Sequence, residues 1–321
     1  MFSNSSIQKL PKKLCYLQRR SRQKLAHALE DVGRAIEYST KPQAVVNQKE
    51  VRVLGLRRSG NHAIINWIGK QIQGQAVFMN HVRPLENPYR NQYENQLNPR
   101  HTPPPKDWKY RELDWWKQEK DGNFSLKDGL IYSYEDQELE KVAHPSFERK
   151  HDLYLGRSAE RFDVIVMRDP FNLLASRLQT KPREDGVNFS MLEVYSRRYS
   201  LPELWIAYAK ECLGETNFLP NNKLVINYNQ WFLDCNYRQQ IAQQLELEFS
   251  DRGLNDVSAS GRGSSFDGAK YAGNVAQMDV INRWKWFTDS SVYRELLKTE
   301  GLLDYSQKLF GSIPGTEVLY S

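Results

Sequence analysis

Apolar and polar positions along the chain switch repeatedly between two periods. Residues 7–38 read as a basic helix, which Lys41-Pro42 ends. Val51-Arg-Val-Leu-Gly-Leu56 reads as a strand. Residues 61–73 return to helical spacing, with Ile64, Ile65, Trp67, Ile68 and Ile72 on the apolar side. Further strands are expected at 76–80, 130–134, 163–167 and 223–228. Helices are expected from Pro170, over much of 191–213, and over 237–247. Strands alternating with helices predict an α/β fold: a mostly parallel sheet with helices on both faces. Six of the fourteen prolines lie between Pro84 and Pro105, so 84–106 is expected to be a long loop.

Composition adds three limits. The 321 residues carry 45 Lys+Arg against 39 Asp+Glu, and 40% are apolar, enough for a sizeable core. The excess charge is local. Residues 1–50 hold ten bases and four acids, the other 271 residues are balanced, and seven bases precede the first acid, Glu30. Residues 1–48 are therefore read as a basic helical arm and 49–321 as the α/β domain. The arm suits a transit segment, an acidic-surface contact or a solvated helix, the last being preferred. No apolar run approaches the ~18 residues of a membrane span, and no secretory h-region is evident. Cys15, Cys212 and Cys235 have no metal-binding spacing, which fits a cytoplasmic protein without a zinc site. Nucleic-acid binding has only the arm in its favour and is not expected.

The first chemical signal is Gly55-Leu-Arg57-Arg58-Ser59-Gly60-Asn61-His62, between a strand and a helix. It matches the GxxxxG half of a P-loop, whose backbone N–H groups suit an anion. The Lys and hydroxyl that complete the motif for Mg–ATP are replaced by Asn61 and His62. Positive charge enters from Arg57 and Arg58 instead. Alternatively, the segment is a tight turn with two surface arginines. The second signal is Asp163-Val-Ile-Val-Met-Arg168-Asp-Pro170, with Ser176 eight residues beyond the Arg. An Arg at a strand's C-terminal end faces the crevice where open α/β sheets bind ligands. With a hydroxyl beside it, it makes a good phosphate pair. The bland reading pairs Arg168 with Asp169.

With these residues in this order, the chain resembles the sulfotransferases that use 3′-phosphoadenosine 5′-phosphosulfate (PAPS), especially the soluble bacterial members. The resemblance covers roughly 50–290 and implies their P-loop NTPase-like fold. It implies that Arg57, Arg58, Ser59, Gly60, Asn61 and His62 hold the 5′-phosphosulfate. It implies that Arg168 and Ser176 hold the 3′-phosphate, while Tyr228, Ser265 and Phe266 border the adenine. The Arg-Lys-Gly triplet of the cytosolic enzymes is absent, and Arg283-Trp284-Lys285 keeps only a Trp-Lys pair. Gly261-Arg262-Gly263 is the expected substitute.

The implied reaction moves a sulfuryl group from PAPS to a hydroxyl or amine by in-line displacement, leaving 3′,5′-ADP, with no metal expected. Arg58 would act electrostatically, since a guanidinium is a poor proton donor. Two candidates for the base follow strands, His81 and the acidic pair Glu135 with Asp136; the resemblance leaves the choice between His and Glu open. His144 and His151 are read as structural. Trp108, Trp115 and Trp116 are read as packing, with a stacking wall for the acceptor as the alternative. A small-molecule or carbohydrate acceptor is the expected partner; its identity and the oligomeric state stay open. Two other readings stand beside this one: a P-loop kinase or hydrolase, and a non-catalytic 3′,5′-ADP-binding module.

Overall fold

The computed structural model describes residues 4–40, 44–97, 112–180, 192–257 and 263–320. Within the first helix, side chains are described for residues 18, 21–36 and 38–40. The chain divides into two units, Met1–Ala44 and Val45–Ser321. The first is a single helix, α1 (Asn4–Thr40). Among the described residues, no helix is long and apolar enough to cross a membrane.

The second unit is built on five parallel strands: β1 (Val45–Gly55), β2 (Ala76–Met79), β3 (Lys127–Glu135), β4 (Arg157–Met167) and β5 (Asn222–Asn227). Their order is β2-β3-β1-β4-β5. Val51 pairs with Ile131 on one side and Phe162 on the other. Central β1 is thus buried on both faces, and the chain leaves it first toward β2 and β3, later toward β4 and β5. The reversal of direction beside β1 creates a crevice at the strands' C-terminal ends. Helices lie on both faces of the sheet, as the alternation of elements predicts.

Strand alternation gives the two faces different chemistry. Val51, Val53, Ile131, Val164 and Val166 form an apolar face. It packs against α2 (Asn61–Gln71) and against α10 (Tyr228–Leu233) and α11 (Cys235–Gln244) through Trp67, Trp231, Ile241 and Leu245. The opposite face carries buried Glu50, Arg52 and Asp163. Arg52 forks onto Asp163 at 2.7 and 3.0 Å and reaches Glu148 at 2.6 Å. Glu50 accepts from His151 Nε2 and Tyr132 Oη, both at 2.8 Å, and from Ser158. These pairings compensate the burial of charge, which would otherwise cost several kcal/mol per ion. His144 caps a short helix and His151 serves this network, so both are structural.

Two expectations about elements change. The segment 84–106 is not loop throughout: α3 occupies Pro88–Leu97. Asn87 Oδ1 accepts from the Arg90 N–H at 3.1 Å, so Asn-Pro is an N-cap followed by an N1 proline, which favours helix initiation. Residues 98–106 and Trp108 lie outside the described residues. Trp115 and Trp116 contact Tyr89 from α4 (Leu113–Lys120), which fits packing. The helix expected over much of 191–213 is α9 (Leu201–Cys212), started by a Ser200–Glu203 capping box.

Candidate functional site

The loop after β1 is held from three sides. Gly60 has φ 91°, a left-handed conformation that suits glycine. A Cβ there would lie 2.1 Å from the Tyr228 ring. The loop therefore sits directly under Tyr228, which opens α10 one residue after β5 ends. Arg58 also adopts a positive φ, 73°, a costly conformation for a side-chain-bearing residue. The Ser59 hydroxyl is buried with no partner. Such a group normally has one, so its presence beside a helix N-terminus marks a place for an acceptor.

Arg57 and Arg58 diverge. Arg57 turns away from the loop: its backbone N–H donates to Asp136 at 2.9 Å and its guanidinium joins the same carboxylate. Arg177, from α8 (Pro170–Gln179), grips Asp136 from the other side at 2.8 Å. Arg57 thus braces the loop against the end of β3. Arg58 stays beside Gly263, 3.5 Å from its carbonyl.

At the end of β4, Arg168 is buried and donates to the Arg58 carbonyl and to Ser176 Oγ, both at 3.1 Å. It also donates to the Val280 carbonyl. Asp169 does not pair with it. Its carboxylate caps α8 through Asn172 N–H at 2.8 Å and binds Asn229 at 2.9 Å. The guanidinium of Arg168 lies 5.1 Å from the Tyr228 ring centre.

Arg283, from a short 3₁₀ turn at Arg283–Phe287, completes the group. It donates to Ser176 Oγ at 3.3 Å and Ser264 Oγ at 2.7 Å, and lies 5.0 Å from the Phe266 ring centre. In the sequence it is only the base ahead of the Trp-Lys pair, and its partner Ser176 lies far away along the chain. Gly261 and Arg262, the expected substitutes, lie outside the described residues. Ser265 Oγ is a second buried hydroxyl without a partner.

Arg58, Arg168 and Arg283 form a cluster of like charge. Burial, followed by repulsion from Arg168, pushes both Arg58 and Arg283 down to about 10. Burial also lowers Arg168. Asp267, 3.5 Å from Arg283, offsets only part of this. Arg168 and Arg283 share Ser176 Oγ, and Arg58 lies close enough to repel both; three partly desolvated guanidiniums together suit a polyanion. The two orphan hydroxyls and the loop N–H groups add donors. This donor set fits a nucleotide carrying phosphate groups, with Tyr228 and Phe266 presenting aromatic surface beside it.

The two candidate bases also meet. Glu135 ends β3, 95% buried, and His81 Nε2 stands 3.3 Å from its Oε2. Asn61 Nδ2 donates to Glu135 Oε1 at 2.9 Å, and His62 Nε2 lies 3.8 Å from the same oxygen. Burial would raise the Glu135 carboxyl, but His81, His62 and the Asn61 amide together hold it below the usual range. It stays a carboxylate at neutral pH. His81 has a positive φ, 51°, and a half-exposed side chain. With Nε2 turned to the carboxylate, Nδ1 is the nitrogen left to accept a proton. Glu135 pairs with neither Arg58 nor Arg168.

Comparison with known proteins gives little beyond outline. No family model matches the chain, and no curated protein does. Among solved structures, a mouse sulfotransferase, SULT7A1, complexed with PAP, is similar at 12% identity and a TM-score of 0.37. The match covers 79% of this chain and 89% of that one.

Proposed function

We propose that the chain is a sulfotransferase that takes PAPS as donor and releases 3′,5′-ADP. The observation that carries this reading is the pair Arg168 and Arg283 on Ser176, with Arg58 beside them. It lies beside a P-loop-like turn that lacks the Lys and the hydroxyl of Mg–ATP sites. One phosphate site, at the turn, is common to all nucleotides. A second, built from Arg168, Ser176 and Arg283, suits a nucleotide phosphorylated at a second position.

Arg58, Ser59 and the N–H groups of Gly60, Asn61 and His62 would hold the 5′ end. Arg168, Ser176 and Arg283 would hold the 3′-phosphate. Tyr228, Ser265 and Phe266 would border the base. When bound, the donor supplies the sulfuryl group. The chain's residues do the rest. Arg58 balances negative charge at the turn without giving up a proton. His81 accepts the acceptor's proton at Nδ1. Glu135 fixes the His81 tautomer and stabilises the imidazolium, as carboxylates do behind other histidine bases. Arg57 keeps the turn in place through Asp136.

Calorimetric titration tests this. We expect 3′,5′-ADP to bind wild type far more tightly than 5′-AMP. Arg168→Ala and Arg283→Ala should each remove about tenfold to a hundredfold of that preference, consistent with a lost charge-assisted pair. Thermal melts verify that the variants fold. Equal binding of 3′,5′-ADP and 5′-AMP, or tighter binding of Mg–ATP, would overturn the reading and return the chain to the wider nucleotide-binding class.

A further inference from the structure

The helix α1 makes up the first unit by itself. Leu25, Leu29, Val32 and Ile36 lie on one of its faces and are 64, 67, 59 and 65% exposed. Four large apolar side chains within three turns, all open to solvent, form an uncovered surface. In the sequence, the same spacing extends upstream to Ile7, Leu10, Leu14 and Leu17.

The period matters. Leu14, Leu25 and Ile36 recur at eleven residues, which is 3.67 per turn, close to the natural pitch. A heptad seam drifts around a straight helix and rewards a second helix that winds with it. From Leu25 to Ile36 the stripe drifts little over its three turns and so can lie against a plane.

Charge names the plane. Before Glu30 the arm holds seven Lys and Arg and no acid. Arg22 and Lys24, both exposed, fall on opposite flanks of the stripe, where long basic side chains can reach up from an apolar surface to its polar boundary. A parallel second copy would set seven positive charges against seven. An antiparallel copy would offer the basic half only three acids, Glu30, Asp31 and Glu37.

We propose that α1 lies in the plane of an anionic lipid surface, with its apolar stripe in the acyl boundary and its bases against the headgroups. The proposal is independent of the sulfuryl-transfer reading.

The test is co-sedimentation of the full chain with two kinds of vesicle: phosphatidylcholine alone, and phosphatidylcholine mixed with phosphatidylserine. We expect binding about tenfold or more tighter to the mixture, weakened by salt. The double variant Leu25→Gln/Leu29→Gln should lose it, and Arg22→Glu/Lys24→Glu should lose it too. Both pairs are on exposed helix positions, so the thermal melt of the α/β unit should stay unchanged. Absence of binding to either vesicle would overturn the proposal. So would binding that the glutamine pair leaves intact, or a lipid-free dimer that the glutamine pair dissolves.

Discussion

In the proposed reaction, His81 and Glu135 divide one task between two groups of opposite exposure. The histidine is half-exposed, where an acceptor would meet it; the carboxylate is buried, where it would hold the ring. His81→Ala should therefore lower kcat by about 10² to 10⁴ while leaving 3′,5′-ADP affinity unchanged. Glu135→Gln should give a smaller loss, in kcat rather than KM, because the amide can still accept from Nε2 but cannot balance an imidazolium. Steady-state kinetics beside nucleotide titration separates the two. A fall in nucleotide affinity for His81→Ala would show that the residue shapes the turn instead. The sequence named both residues yet could not rank them, since their pairing joins a loop after β2 to the end of β3. Arg283 was harder to find for the same reason. Its partner Ser176 is 107 residues away, and nothing local distinguishes it from a surface base.

The elements that carry the site were legible because their signals are local. The Gly55–Gly60 turn, β4 with Pro170 behind it, and α2 follow from periodicity and capping within short windows. Asn87-Pro88 shows where such signals mislead. The same dipeptide opens a turn or a helix, and residues further on decide. At the turn, Gly60 offers an element-scale prediction. Gly60→Ala places a methyl in the Tyr228 ring at a left-handed φ. It should cost roughly 1–3 kcal/mol from backbone strain alone and weaken nucleotide binding further by lifting Tyr228. Urea denaturation and calorimetry read the two effects. Unchanged stability would mean that the ring and loop separate easily. The polar start of β1 was also missed. Asn47, Lys49 and Glu50 mask the strand in sequence, because the partners that make their burial tolerable lie 82 to 111 residues away.

For the whole molecule, the ionic face of the sheet sets the response to pH. Both nitrogens of buried His151 face carboxylates, Glu50 at 2.8 Å and Asp152 at 2.7 Å, so both must donate and the ring is an imidazolium. Burial opposes this charge, but Glu50 and Asp152 outweigh it and raise His151 above 6.5. Burial likewise opposes the Glu50 charge, and His151 with Arg161 and Ser158 holds that carboxyl well below 4.5. The His151 contribution is complete below 6.5 and is lost as pH rises through its folded value. The Glu50 contribution is complete above 4.5 and is lost on acidification. Stability from this network should therefore be greatest between those two values. Urea midpoints should fall as pH rises above 6.5, and His151→Gln should flatten that limb while costing about 3 kcal/mol at pH 6. A wild-type midpoint constant from pH 6 to 9 would contradict the assignment.

The arginine cluster is drawn from positions 58, 168 and 283, and Arg168 is also tied to the Val280 carbonyl. During synthesis, all five strands are complete by residue 227, while the third arginine is still more than fifty residues from being made. A nascent chain can thus build its sheet and still lack the pocket. On the proposed function, the site for a doubly phosphorylated nucleotide is complete only once the segment from Ser264 to Arg283 has been made. Termination between residues 228 and 282 would leave all five strands but not the arginine cluster that the proposed function needs.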